Sequence, residues 1–370
     1  MPLGTRVDQE GDIVLAVIMA GGFGQRFWPR SRRERPKQLI DLTGKGSMIS
    51  LTVDRMGALC SPEEIFIVTI SSQIDAIEGE VGGRIPRENI VGEPVGRNTA
   101  PSIGLAAVVL ERRFGDTPFM VLPADHFIAD EDAFGKAARA AERYVKAHDC
   151  LLTFGIRPSR PETGYGYIHA GRPLDNNDGV MLFEADSFHE KPSLEKAQSF
   201  IEAGTYFWNS GMFFWRTSVI RRAIAGYLPE LEDVLGRIDQ RLGTEPLDDA
   251  LKSLYSRAPS ISIDYGVMEK AENVVVLKGD FYWNDVGSWE SVREMYPKDS
   301  NGNVLVGDHV VMDSSENTVF SPERLVGLVG VSDIVVVDGG DAILVCRRDR
   351  VQQVREIVET LKKSGKEQLI

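Results

Sequence analysis

MAGGFGQRFWPRSRRERPKQL, residues 19–39, is the stretch from which the rest of the chain is read. It follows a continuous apolar run, Ile13 to Met19, which predicts a buried parallel strand entering a turn at Gly21-Gly22. Glycines at 21, 22 and 24 let the backbone approach a phosphate and aim its N–H groups at it, while Arg26 and Lys37 supply positive charge. From Arg26 to Lys37 there are five arginines and one lysine against a single acid, Glu34. A solvated basic loop is the plainer account of such a run, but its place directly behind a first buried strand argues for a phosphate site. Two other phosphate loops fail on spacing. Phe27 stands where a dinucleotide-binding loop needs its third glycine, and Leu39 where a P-loop ending in Gly44-Lys45 needs its first.

Moving outward, Ile65–Ile70 and Phe119–Leu122 read as further strands. Thr99–Arg113 reads as a helix capped by Thr99, with Ile103, Ala106, Ala107 and Leu110 on its apolar face. This alternation predicts an α/β fold: a doubly wound, mostly parallel, Rossmann-like sheet. Between Asp149 and about Trp215 short strands alternate with glycine-rich turns, where a substrate-binding subregion is expected, and helices return from Ser218 to Leu254. The aromatic cluster Phe207, Trp208, Phe213, Phe214 and Trp215 reads as core packing. After Pro297 the runs VLVG, HVVM, DIVVV and AILVC predict a small C-terminal β-helix-like module. It ends in a terminal helix on which Val351, Val354, Ile357, Val358 and Leu361 share a face. The expected units are a flexible tail over 1–11, a catalytic domain over 12–298 and a β-rich module over 299–370.

Composition excludes several classes. With 42% hydrophobic and 26% charged residues in 370, the chain is neither disordered nor fibrous. Cys60, Cys150 and Cys346 lie far apart, and the histidines at 126, 148, 169, 189 and 309 have no metal spacing, so neither a disulfide framework nor a zinc site is expected. Cysteine usage fits a reducing, cytoplasmic compartment. A net charge of −13 gives no basic face for nucleic acid, and no apolar run is long enough for a membrane span or placed as a targeting segment. An anionic ligand must therefore be held by local positive charge.

The opening segment resembles the signature of the sugar-nucleotide pyrophosphorylases, G-G-x-G-x-R followed by P-K, and its PKQ form is similar to that of the bacterial GDP-mannose pyrophosphorylases. Further segments match in order: GEPVGRNTAP (92–101), LPADH (122–126), GYGYI (164–168), FHEKP (188–192) with FWNSGMF (207–213), and WNDVGSW (283–289). The resemblance covers about residues 13 to 290. It departs at the tail, where some relatives continue into a cupin-like isomerase domain that this chain is too short to carry.

The resemblance implies a nucleotidyltransferase acting on GTP and mannose 1-phosphate, with Mg2+ as cofactor. Asp125 ends a strand at the ligand-binding edge of an α/β sheet, and Asp285 is its expected partner in a hard oxygen site for Mg2+. Gly21, Gly22 and Gly24 would meet the nucleotide. Glu93 lies in a segment resembling the family's base-reading loop, and a carboxylate can accept from both guanine N1–H and the N2 amine, with Arg97 and Asn98 nearby. At the sugar end Gly164 and Gly166 allow close approach, Glu190 and Asn209 would take hydroxyls, and Lys191 the phosphate. A thymidylyl- or uridylyltransferase on the same scaffold would share Arg26, Lys37, Asp125 and Asp285. A regulatory subunit would have lost some of them. The short β-rich module would be covered by the catalytic domain or by a second chain, and the resemblance favours a homodimer.

Overall fold

The computed structural model describes residues 15–22, 24–174 and 179–370; the tail expected over 1–11 lies outside them. Strands of the larger unit are β1 (Leu15–Met19), β2 (Ile65–Ile70), β3 (Ile90–Glu93), β4 (Pro118–Pro123), β5 (Phe127–Ile128) and β6 (Leu151–Ile156). They continue as β7 (Gly166–Pro173), β8 (Leu182–Glu190), β9 (Tyr206–Arg216), β10 (Val274–Gly279) and β11 (Trp283–Asn284). Nine of them form one sheet in the order β3-β2-β1-β4-β9-β6-β10-β8-β7, and β5 pairs with β11 apart from it. Four neighbours, β1 to β4, are mutually parallel, as are β6 and β10. The parallel order is broken where β9 inserts antiparallel between β4 and β6, and where β8 runs against β10 and β7.

The sheet is covered on both faces because its strands are apolar on both. Ala16 and Ile18 of β1 face one core with Val53, Met56, Phe134 and Ala138 from helices Met48–Gly57 and Glu131–Ala147. Leu15 and Val17 face the other, with Ile103 and Leu110 of helix Thr99–Phe114 and Ile220 and Leu235 of the two helices after β9. That double layer explains why β1 has no alternation to read. The aromatic run of β9 is buried as expected. One detail differs: Asn98, not Thr99, is the N-cap, its side chain accepting from Thr99 N, while Thr99 Oγ1 accepts from Ile263 N.

The C-terminal strands are β12 (Val304–Val306), β13 (His309–Met312), β14 (Thr318–Phe320), β15 (Val326–Val329), β16 (Ile334–Asp338) and β17 (Ile343–Arg347). Strands β12, β14 and β16 stack in parallel, β13 and β15 stack in parallel on a second face, and β17 closes the first stack antiparallel. Val319, Leu328 and Val336 fill the space between the faces. Buried Asn303 and Asn317 tie the rungs: Asn317 Nδ2 donates to Asn303 Oδ1 and to Val331 O, each at 3.0 Å, and Asn317 Oδ1 accepts from Ile334 N. This is a short β-helix. The terminal helix occupies Val354–Lys363 after a 3-10 segment that holds Val351.

The module packs on the larger unit of its own chain. Val335, Val337, Val351, Val354 and Val358 share one apolar cluster with Phe27, Trp28, Val286 and Trp289. Trp28 Nε1 donates to Leu369 O at 2.8 Å, and Arg33 N to Ile370 O at 3.1 Å. The basic segment of residues 26–37 is thus held from behind by the C-terminal residues.

Candidate active site

The glycine loop leaves β1 at its carboxyl edge, where open α/β sheets place ligands. Its base is fixed by a buried amide network: Gln38 Nε2 donates to Ala20 O and to Gln73 Oε1, each at 2.9 Å, and Thr69 Oγ1 also donates to Ala20 O. Gly24 has φ 60°, and a β-carbon there would stand 2.4 Å from Lys37 Cβ. Only glycine suits that position on both counts. The loop thereby brings Lys37 against its own backbone.

Asp125, following β4, and Asp285, following β11, are joined through that lysine. Lys37 Nζ donates to Asp125 Oδ2 at 2.8 Å and to the main-chain oxygen of Asp285 at 2.7 Å. Burial alone would raise the Asp125 carboxyl, but the Lys37 ammonium and His126 more than offset this and hold it below the usual range. Burial pushes His126 down to about 4, so its ring is neutral near pH 7, with Nδ1 accepting from Trp283 Nε1 at 3.1 Å. Tyr165 donates to Asp285 Oδ1 at 2.7 Å, its ring wedged between Trp208 and Trp283 with centroids 5.2 Å away in each case. Asp285 Oδ2 carries no hydrogen bond from any described residue. Next to it Val286 takes φ 48° although it is β-branched and buried, a local strain of the kind stored at functional sites.

At one end of the cleft Glu93, 3% exposed, closes β3. Its Oε1 accepts from Ser102 Oγ at 2.6 Å and from the Tyr255 hydroxyl. Burial raises the Glu93 carboxyl, and the two hydroxyls only partly offset that. At the other end Gly166 admits Glu190, whose Oε2 stands 2.5 Å from where a β-carbon on Gly166 would be. Asn209 is committed on both sides of its amide: Oδ1 accepts from Thr153 Oγ1 and Gly211 N, and Nδ2 donates to Asp264 Oδ1 at 2.8 Å. Asp264 starts a π-helical turn, Asp264–Met268, and burial, then Glu190, raises its carboxyl to about 6.

Of these groups Glu93, Asp125, His126, Tyr165, Glu190, Asn209, Asp264 and Asp285 line one cleft of about 460 Å³. It presents glycine backbone, two carboxylates beside an ammonium, a buried glutamate at one end and a polar pocket at the other. Such a site can hold a polyphosphate between a base and a second polar ligand.

Comparison with known proteins bears on which family this is. Residues 15–302 match the nucleotidyl transferase family, and residues 307–361 the MannoseP isomerase/GMP-like beta-helix domain. The chain is 40% identical over 359 residues to a mannose-1-phosphate guanylyltransferase of Escherichia coli (strain K12), covering 95% of this chain and 74% of that one. The chain belongs to the mannose-1-phosphate guanylyltransferase family. It is also 39% identical over 355 residues to the xanthan biosynthesis protein XanB of Xanthomonas campestris pv. campestris (strain B100), covering 95% and 74%. A solved structure described as a mannose-1-phosphate geranyltransferase from Thermus thermophilus superposes with a TM-score of 0.84 at 34% identity, covering 94% of this chain and 99% of that one.

Within the family frame, the cleft brings together Gly21, Gly22, Glu93, Arg97, Asn98, Asp125, Gly164, Gly166, Glu190, Asn209 and Asp285. Four residues expected there stand otherwise. Arg26 is exposed beside the Asp285 turn, 3.4 Å from Gly287 O, Gly24 and Lys37 support the loop from behind, and Lys191 is paired with Glu190 at 3.0 Å. Arg97 donates to Ser256 O, and Asn98 caps a helix. Of the Glu93 carboxylate, Oε1 is already taken by two hydroxyls. Sequence reasoning missed Ser102, Tyr255, Asp264 and the role of Tyr165. Tyr255 and Asp264 come from segments with no motif, and only the fold carries Asp264 to the cleft and Tyr255 to Glu93.

Proposed function

We propose that the chain joins mannose 1-phosphate to GTP, giving GDP-mannose and pyrophosphate. What carries this is the single cleft in which a glycine loop, Glu93, the Asp125–Asp285 pair and the Glu190–Asn209–Asp264 pocket follow one another. The sugar phosphate already bears an anionic oxygen, so no protein nucleophile is required, and catalysis reduces to positioning and charge stabilisation at the α-phosphorus. The backbone of Gly21 and Gly22 lies along the polyphosphate, with Arg26 at the mouth to meet its outer phosphates. Glu93 faces the base. Glu190 and Asp264 take sugar hydroxyls, with Asn209 fixing the Asp264 carboxylate.

Asp125 and Asp285 suit Mg2+: they form a hard, two-carboxylate set, and Asp285 Oδ2 is unengaged. When bound there, Mg2+ supplies charge neutralisation at the α-phosphate. Lys37 ties the Asp125 carboxylate to the Asp285 backbone, and Tyr165 fixes the tilt of the Asp285 carboxylate. Asp125→Asn and Asp285→Asn should each lower turnover by about a hundredfold or more with melting unchanged within a few degrees. A panel of nucleoside triphosphates against sugar 1-phosphates, read as pyrophosphate release, tests the assignment. GTP with mannose 1-phosphate should be fastest, and equal turnover with UTP or dTTP and glucose 1-phosphate would overturn it.

We take residues 12–298 as the catalytic unit and 299–370 as a module that also joins two copies in a homodimer. Support for the latter is the exposed apolar set Met312, Leu325, Val329, Ile343 and Val345 on the β-helix. Among the described residues no helix is long and apolar enough to cross a membrane. A cytoplasmic location accords with that and with three free cysteines.

A further inference from the structure

We infer that Tyr255, together with Ser102, determines which purine the site accepts, by fixing Glu93 so that a single carboxylate oxygen faces the base. The inference rests on the base-reading role proposed for Glu93. Tyr255 is fully buried and stands 162 positions away in sequence, yet its hydroxyl ends on Glu93 Oε1. Ser102, in the helix that follows the Glu93 loop, stands 2.6 Å from the same oxygen and 3.0 Å from Asn98 O, and the shorter contact takes its single proton. A carboxylate oxygen has about two lone-pair positions, so Oε1 is saturated and cannot also accept from a ligand. Oε2 is left over. It lies 3.8 Å from the position a β-carbon on Gly21 would occupy, and Gly21 and Glu93 both line the cleft.

Two consequences follow for recognition. Because both pins are donors, they hold Glu93 as an acceptor, so the site favours a base edge that donates and disfavours adenine, whose N1 accepts. Because Oε1 is held, the carboxylate cannot turn to follow a different base, and Oε2 meets donors at one place only. Guanine offers N1–H and the N2 amine there, and hypoxanthine lacks the amine. A buried acceptor left without its donor is costly, which converts a fixed oxygen into discrimination. Without the pins, Glu93 could rotate, and the difference between the two bases would shrink.

The test is steady-state kinetics and equilibrium binding with GTP, ITP and ATP on the full chain, with melting measured for every variant. Tyr255→Phe keeps the ring and removes only the pin. It should raise the GTP KM about tenfold and lower the GTP-over-ITP preference about fivefold, with KM for mannose 1-phosphate changed less than about twofold. Ser102→Ala should move the same ratio in the same direction, and Ser102→Thr, which restores a hydroxyl, should recover it. Glu93→Gln separates the two ideas. If it collapses the GTP-over-ITP preference while Tyr255→Phe and Ser102→Ala leave that preference intact, the pinning inference is overturned and the base-reading role survives. If Glu93→Gln leaves the preference unchanged, the base-reading role fails and the inference fails with it.

Discussion

Replacing Gly24 by alanine would add a methyl group 2.4 Å from Lys37 Cβ at a residue whose φ is 60°. The left-handed backbone alone costs an L-residue about 1–2 kcal/mol, and the contact can be relieved only by moving Lys37. Gly24→Ala should therefore lower the melting temperature by several degrees and turnover by about tenfold or more, since the lysine that bridges Asp125 and Asp285 is displaced. A variant with wild-type turnover would mean that the bridge has no part in the reaction. Asp264 gives a pH signature. Its folded-state pKa of about 6 lies above the ordinary value of 3.8, so its protonated form is favoured by folding. The resulting stability is fully present below about pH 4 and is lost as pH rises through 6, amounting to roughly 1–3 kcal/mol. Asp264→Asn should remove that slope between about pH 4 and 6 in denaturant titrations of the ligand-free protein, and identical slopes in the two proteins would refute the shift. Neither effect was visible in the sequence: Gly24 reads there as a phosphate-facing glycine, while the structure gives it a steric duty toward Lys37. Asp264 has no periodicity, motif or spacing to single it out.

Elements were legible where burial pattern alone decides them. Strand β1, helix Thr99–Phe114 and the aromatic strand β9 are written in runs of apolar residues. The antiparallel insertion of β9 between β4 and β6 was not, because the direction of a fully buried strand leaves no trace in its composition. The β-helix was legible only as short β-branched runs, and what orders its rungs is polar. Asn317 is fully buried and its side chain satisfies groups on two neighbouring rungs. Asn317→Ala leaves several buried partners unpaired, so it should cost about 2–4 kcal/mol, against under about 1 for an exposed asparagine in the same module. Urea denaturation followed by tryptophan fluorescence would check this, and a cost within error of zero would show that water replaces the ladder.

At the scale of the whole molecule, the two units share an apolar cluster that contains Phe27 and Trp28 from the glycine loop's continuation, and Val286 and Trp289 from the segment after Asp285. Ending the chain near residue 298 strips the cover from both. The shortened protein should melt at least ten degrees lower, or aggregate, and should lose most of its turnover even where it stays soluble. A soluble, fully active catalytic unit would show the interface to be incidental. Light scattering on the full chain at micromolar concentration tests the homodimer, and a monomer there would leave the exposed β-helix face without its proposed partner.

The docking of residues 320–370 behind the glycine loop also sets an order in time. A chain leaving the ribosome at about 5–20 residues per second presents the loop, the lysine and both aspartates well before Val351, Val358 and Ile370 have been made. The sheet can form during synthesis, but the walls around Trp28 and Trp289 close only when the last helix arrives. Nascent chains that have passed Asp285 but lack residues 351–370 should accordingly carry every catalytic residue and yet have lost most of their turnover, and activity should rise only once those residues are made.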